Sequence, residues 1–174
     1  SGEECNAIEC ILNKGMSVKH TLNKYPTVCD SFEVALVAVT RDVRSMEWFS
    51  ESLRSDKELV MVAVNRSGST LEYASDDLRA DREVVMAAVT RSGYAFQYAS
   101  DDLRADKEVV MAAINDNGNA LEYASDDLRA DREVVMAAVK QHGNALQHAS
   151  DDLRADKEVV MATIKQTGYA GYAL

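Results

Sequence analysis

The stretch that decides the fold is "ASDDLRADREVVMAAV", Ala74–Val89. It returns almost letter for letter at 99–114, 124–139 and 149–164. A catalytic constellation needs different residues at defined points, whereas a stack of like units needs the same residues again and again. The period is 25, marked by Leu53, Leu78, Leu103, Leu128 and Leu153 and by Gly68, Gly93, Gly118, Gly143 and Gly168. Upstream, "SFEVALVAVTRDVRSMEWFS" (Ser31–Ser50) aligns without a gap to Asp56–Ser75. Val43 then takes the glycine slot and Trp48 the tyrosine slot. Further back, "AIECILNKG" (Ala7–Gly15) resembles "VMAAVTRSG" loosely. It reads as a degenerate first unit, of the kind expected where one face of a stack meets water.

A second period lies inside the first. Arg82, Lys107, Arg132 and Lys157 alternate, as do Glu72, Gln97, Glu122 and Gln147. Residues 71–120 match 121–170 at 39 of 50 positions, which points to duplication of a pair of units as one block.

Each unit reads as two short helices. In "DREVVMAAVTRSG", Asp81 is a natural N-cap and Glu83 adds negative charge at the positive end of the helix dipole. Val84, Val85, Ala88 and Val89 share one face. Gly93 is expected to end this helix in a left-handed conformation. "YAFQYASDDL" is expected to form the second helix, with Ala95, Phe96, Ala99 and Leu103 on its apolar stripe. The first helix is apolar nearly all round, so the second should cover it from solvent. Helices this short hold only through stacking. The fold class is therefore all-α, a short α-solenoid of roughly six two-helix repeats. Residues 1–30 form the divergent N-terminal capping unit, 31–170 the array and 171–174 a C-terminal tail.

The charge of −10 repels phosphate backbones, which argues against nucleic acid as a partner, and it favours a basic partner. No apolar run approaches the roughly 20 residues of a membrane span. Cys5, Cys10 and Cys29 all precede the array and lack metal-ligand spacing. A bridge from Cys5 or Cys10 to Cys29 stays open beside free thiols. The chain begins at Ser1 without a methionine, as expected if a leading segment has been removed, by processing or by choice of boundaries.

The segment "YASDDLRADREVVMAAVTRSGYAFQYASDDLRADKEVVMAAI" resembles the protist and algal repeat known as domain of unknown function 4116. The resemblance spans about 31–170 and thins before residue 30. It implies a small helical repeat and no activity, and it carries no functional residues onto this chain. After Gly168 the pattern departs, with Gly171 in the leucine slot and Ala173 in the tyrosine slot, so the last unit is read as a half-unit. The family's occurrence in algae implies an organellar setting, a plastid and its photosynthetic assemblies among them.

The chemistry-bearing residues have plain structural readings. Asp76, Asp77, Asp81 and Glu83 recur as an acidic ladder, but without the alternating spacing of an EF-hand loop. Capping, together with pairing to Arg79 and Arg82, accounts for them, while stacked aspartates leave cation binding as the sharper alternative. His20, His142 and His148 hold no i, i+4 pair, and the recurring Ser75, Ser100, Ser125 and Ser150 have no recurring histidine beside them. No catalytic residue, metal site or cofactor is assigned.

The column Trp48, Tyr73, Tyr98, Tyr123 and His148 lies at the edge of the apolar stripe. It serves packing between units or, together with Tyr94, Tyr169 and Tyr172, forms a candidate partner surface. Met61, Met86, Met111, Met136 and Met161 form a second column, read as core. The units differ mostly around the glycine ("TRSGYA", "NDNGNA", "KQHGNA"), at an edge suited either to specificity or to drift. The expected function is a non-catalytic protein–protein interaction or scaffold module, a subunit or linker of a larger assembly with another protein as partner. The alternative is a regulator that responds to a cation or small ligand through its acidic ladder.

Overall fold

The computed structural model describes residues 2–13 and 17–167. Helices α1 (Gly2–Asn13) and α2 (Val18–Lys24) come first, then a short 3₁₀ turn, η1 (Pro26–Val28). The first full unit is α3 (Phe32–Arg41), η2 (Val43–Trp48) and α4 (Glu51–Arg54). The second is α5 (Lys57–Arg66), η3 (Gly68–Tyr73) and α6 (Asp76–Arg79). The third is α7 (Arg82–Arg91), η4 (Gly93–Tyr98) and α8 (Asp101–Arg104). The fourth is α9 (Lys107–Asp116), η5 (Gly118–Tyr123) and α10 (Asp126–Arg129). The fifth is α11 (Arg132–Gln141), η6 (Gly143–His148) and α12 (Asp151–Arg154), after which α13 (Lys157–Thr167) opens a further unit. The described residues contain only helices, turns and bends, so the all-α solenoid holds.

Two layers form the array. Consecutive long helices pack side by side, as α5 does on α7 and α7 on α9. Consecutive 3₁₀ segments do the same, and each long helix also packs on the 3₁₀ segments of its own and the preceding unit. The core lies between the layers. Val84, Val85, Ala88 and Val89 are buried from α7, with Ala95 and Phe96 from η4. α9 and α11 bury the same quartet of positions.

Each long helix begins at the expected cap. The Asp81 carboxylate accepts from the Glu83 and Val84 amides, at 3.0 and 3.2 Å. Asp106, Asp131 and Asp156 repeat the arrangement.

The second helix of each unit differs from the expectation. It is not one α-helix but a 3₁₀ segment and a single α-turn, separated by two extended residues. Ala99 has ψ 152° and Ser100 ψ 159°, which turns the Ser100 N–H out of the helical path. That N–H donates to the Arg79 carbonyl of the preceding unit at 3.0 Å. Ser75 N–H to Arg54, Ser125 N–H to Arg104 and Ser150 N–H to Arg129 complete a backbone ladder, at 2.9–3.0 Å. The chain gives up local helix bonds for bonds between units, and a reading of local propensity does not see that exchange.

The glycine differs too. Gly68, Gly93 and Gly118 have no positive φ. The long helix ends instead at an extended residue, Ser92 after α7, with φ −158° and ψ 114°. A Cβ on Gly93 would lie 2.5 Å from the Ala113 carbonyl oxygen of the next unit's helix, and one on Gly68 would lie 2.2 Å from that of Ala88. The glycines are there so that neighbouring units can approach.

The 3₁₀ layer also covers only one side of the long helices. Met61, Met86, Met111 and Met136 are half-buried against the core, Ala87 likewise, and Met161 is exposed. The methionine column is thus the rim of the core. At the N-terminal end α1 packs on α3, burying Ala7, Cys10 and Ile11, while α2 lies against η2. Cys5, Cys10 and Cys29 are free thiols, and burial followed by the Asp30 charge pushes the Cys29 thiol up.

Candidate partner surface

Two rows of side chains cross the units, and they have different work. The first is an ion-pair ladder along the starts of the long helices. Lys57 Nζ lies 2.8 Å from both Asp81 Oδ2 and Glu83 Oε2 of the next unit. Arg82 reaches Asp106 at 3.1 Å and also Glu108. Lys107 holds Asp131 and Glu133 at 2.8 Å each. Arg132 holds Asp156 at 2.7 Å and also Glu158. From the second full unit onward, the alternating Arg/Lys position is therefore the cation that ties one unit to the next; the first full unit has Phe32 in this slot.

The expected pairing of these acids is corrected accordingly. Asp81 is neutralised by Lys57 from the unit before, and Arg82 serves the unit after. Of the acids, Arg79 reaches Asp76, at 3.7 Å, and the Asp76 side chain is almost fully exposed. The firmer bond of Arg79 runs from Nε to the Ala74 carbonyl, at 2.9 Å. Lys57 first, and the N–H bonds of the cap after it, hold Asp81 below the usual aspartate value. Lys107 does the same for Asp131. At Asp106 burial pulls the other way, but the Val109 amide and Arg82 outweigh it. Among the described residues no group of three or more His, Cys, Asp or Glu side chains could hold a metal ion.

The variable edge beside the glycines also binds unit to unit. Gly93 N–H donates to Asp116 Oδ2 at 2.7 Å, and Gly118 N–H donates to His142 Nδ1 at 2.9 Å. Gln141 Nε2 donates to the Asn115 carbonyl at 2.6 Å. Part of the variation between units is therefore matched contact between neighbours.

The second row is the aromatic column. Trp48, Tyr73, Tyr98 and Tyr123 are half-buried against the core at the ends of successive 3₁₀ segments, and His148 follows them. A row of polar groups runs beside the rings. Glu47, Glu72 and Glu122 are exposed. Burial first, and the Glu72 and Glu47 charges next, push the Tyr73 hydroxyl up, with Arg44 acting against them. Burial and then Glu72 do the same to Tyr98. Glu122 Oε2 lies 4.0 Å from His148 Nε2, which Gln147 Nε2 also approaches at 3.0 Å. The glutamates of the alternating Glu/Gln position thus face the ring of the following unit, whereas Gln97 donates to the Tyr94 carbonyl of its own unit at 3.0 Å and Gln147 stays beside His148.

At the start of the column Lys19 of α2 places its Nζ 5.7 Å from the centroid of the Trp48 ring. Sequence reasoning misses this contact, because α2 belongs to the divergent unit and no repeat marks Lys19. Tyr94 is 62% exposed and occupies the slot held by Arg44 in the first full unit. Tyr169 and Tyr172 lie outside the described residues.

The structure defines a class: a helical solenoid of 25-residue units tied by a backbone ladder and, from Lys57 onward, by a charge ladder as well. The family model described as "Domain of unknown function (DUF4116)" matches residues 31–79, 81–129 and 131–173. The chain belongs to the DUF4116 family. Each match spans two units, in keeping with the paired period of the sequence. Searches among curated proteins and among solved structures gave no match.

Proposed function

We propose that this chain is a non-catalytic interaction module that docks another protein along the outer edge of its 3₁₀ layer, as a subunit or scaffold of a larger assembly. One observation carries this reading. Trp48, Tyr73, Tyr98 and Tyr123 stand half-exposed at fixed intervals on a frame rigidified by two inter-unit ladders. Half-exposed aromatic side chains held in place supply contact area at small entropic cost. The columns that do structural work are engaged within the chain: the acids Asp81 and Glu83 by Lys57, and the Gly93 and Gly118 N–H groups by Asp116 and His142 of the next unit.

The test is affinity capture from a native extract with the wild-type chain and with the Tyr73→Leu/Tyr98→Leu/Tyr123→Leu variant. Leucine keeps the buried half of each contact and removes the outer ring and hydroxyl. A stoichiometric partner held by the wild type and lost by a variant with unchanged circular dichroism is the expected result. A partner set indifferent to the three substitutions would sink the reading.

A further inference from the structure

The aromatic column also carries information about the chemistry of its partner. Three observations converge. First, its leading ring already holds a cation, Lys19 of α2 over Trp48. Second, carboxylates border the rings that follow: Glu47 and Glu72 act on Tyr73, Glu72 acts on Tyr98, and Glu122 faces His148. Third, these carboxylates are not taken up by the ladder cations, because Lys57, Arg82, Lys107 and Arg132 are spent on the helix starts. A ring face with a carboxylate at its edge is a site for an ammonium or guanidinium group.

We propose that the column binds a basic, extended segment of a partner protein, with lysine or arginine side chains seated between successive rings as Lys19 is seated on Trp48. This rests on the interaction-module reading and specifies the partner's chemistry. Packed helices lie about 8–10 Å apart, so successive rings repeat at about that distance. A segment in the polyproline II conformation advances about 3.1 Å per residue with about three residues per turn, so a cation at every third residue stays on one face and keeps step with the rings. Besides the three glutamates, the charged groups beside the column include Asp42 and Arg44 near Tyr73, Lys19 itself, Arg79, which donates to the Ala74 carbonyl at 2.9 Å, and Arg104, which donates to the Gln97 carbonyl at 2.6 Å. Arg44 opposes a cation there, which places the best seats where a glutamate faces the next ring: between Tyr73 and Tyr98 beside Glu72, and between Tyr123 and His148 beside Glu122.

The test uses the full chain and a fluorescent synthetic peptide with lysine at every third position among serine and glycine. Its controls are the same peptide with acetylated lysines and one with the lysines in a single block. Anisotropy titration is expected to show saturable binding that acetylation abolishes and that favours the spaced peptide over the block. Glu72→Gln/Glu122→Gln should weaken it about tenfold, and Tyr98→Leu/Tyr123→Leu severalfold. The discriminating control is Asp77→Asn/Asp102→Asn/Asp127→Asn, which removes more negative charge, from exposed carboxylates on the single α-turns α6, α8 and α10. That variant should bind as the wild type does. Equal weakening by the asparagine variant would show attraction to net charge alone and overturn the proposal, as would absence of binding. If the peptide fails while a native partner is still lost from the tyrosine-to-leucine variant, the interaction module stands and the basic segment falls.

Discussion

At the scale of single residues, the glycine column shows how one letter carries two readings. Sequence alone places Gly93 after a helix, where a left-handed cap is the usual reason for glycine. The structure instead places it against the next unit, with the Ala113 carbonyl 2.5 Å from where a Cβ would stand. The readings separate under mutation. Asparagine tolerates a left-handed cap but is no smaller than alanine, so close approach predicts that both fail. Gly93→Ala should cost about 1–3 kcal/mol, as overpacking against rigid backbone does. Gly93→Asn should cost at least as much. Urea denaturation of both variants checks this, and an asparagine variant more stable than the alanine one would restore the capping role. The contact was hidden from the sequence because its other half lies twenty residues away, in an alanine whose side chain says nothing about its carbonyl.

At the scale of elements, the long helices were legible and the 3₁₀ layer was not. An N-cap aspartate, an apolar face at helical spacing and a charged start are local signals, and they gave α7 and its equivalents nearly whole. The break at Ser100 depends on an N–H donated to Arg79, a bond between units that no local pattern encodes. The ion-pair ladder was half legible: the Arg/Lys alternation was visible, but its direction toward the following unit was not. That direction has consequences. Asp131 both caps α11 and accepts Lys107. Asp131→Ala should lose both and cost about 1–2 kcal/mol, on the scale of a lost cap. Asp131→Asn keeps a capping side chain and loses only the charge, so it should cost clearly less. Thermal melts of the two variants give the comparison, and equal losses would mean that the ion pair matters more than the cap.

The same elements set a pH response. Asp81, Asp106, Asp131 and Asp156 are all held below their ordinary value of 3.8 in the folded chain. A depressed carboxylate stabilises the fold above its unfolded value, and that stability is lost as pH falls through the folded value. Lys57 and Lys107 are raised above 10.5, so their contribution is present below that value and fades as pH rises through the raised one. The ladder is therefore intact from about pH 5 to 10. Melting temperature should be flat across that window as far as the ladder is concerned, and should fall below about pH 4. Replacing Lys57 and Lys107 with methionine should reduce the acid-side fall, and an unaltered fall would remove the ladder as its cause.

At the scale of the whole molecule, stability is a sum over neighbours, because each long helix touches mainly its own 3₁₀ segment and the units on either side. A lesion should therefore act by position as well as by chemistry. Val110 is fully buried in α9, at the centre of the fourth unit, whereas its equivalent Val160 in α13 is only half-buried. Val110→Asp places an unpaired carboxylate between neighbours on both sides and should cost several kcal/mol. The break leaves α11–α13 on one side, fewer units than a stack needs to stand alone, and α1–α7 on the other. Hydrogen exchange of the Val110→Asp chain should thus show residues 107–167 unprotected while residues 32–91 keep slow amides. Val160→Asp, at the edge of the described array, should leave every unit before α13 protected. Uniform loss of protection after Val110→Asp would mean that the array folds as one cooperative block, in which the two ladders couple the units more tightly than nearest-neighbour stacking does.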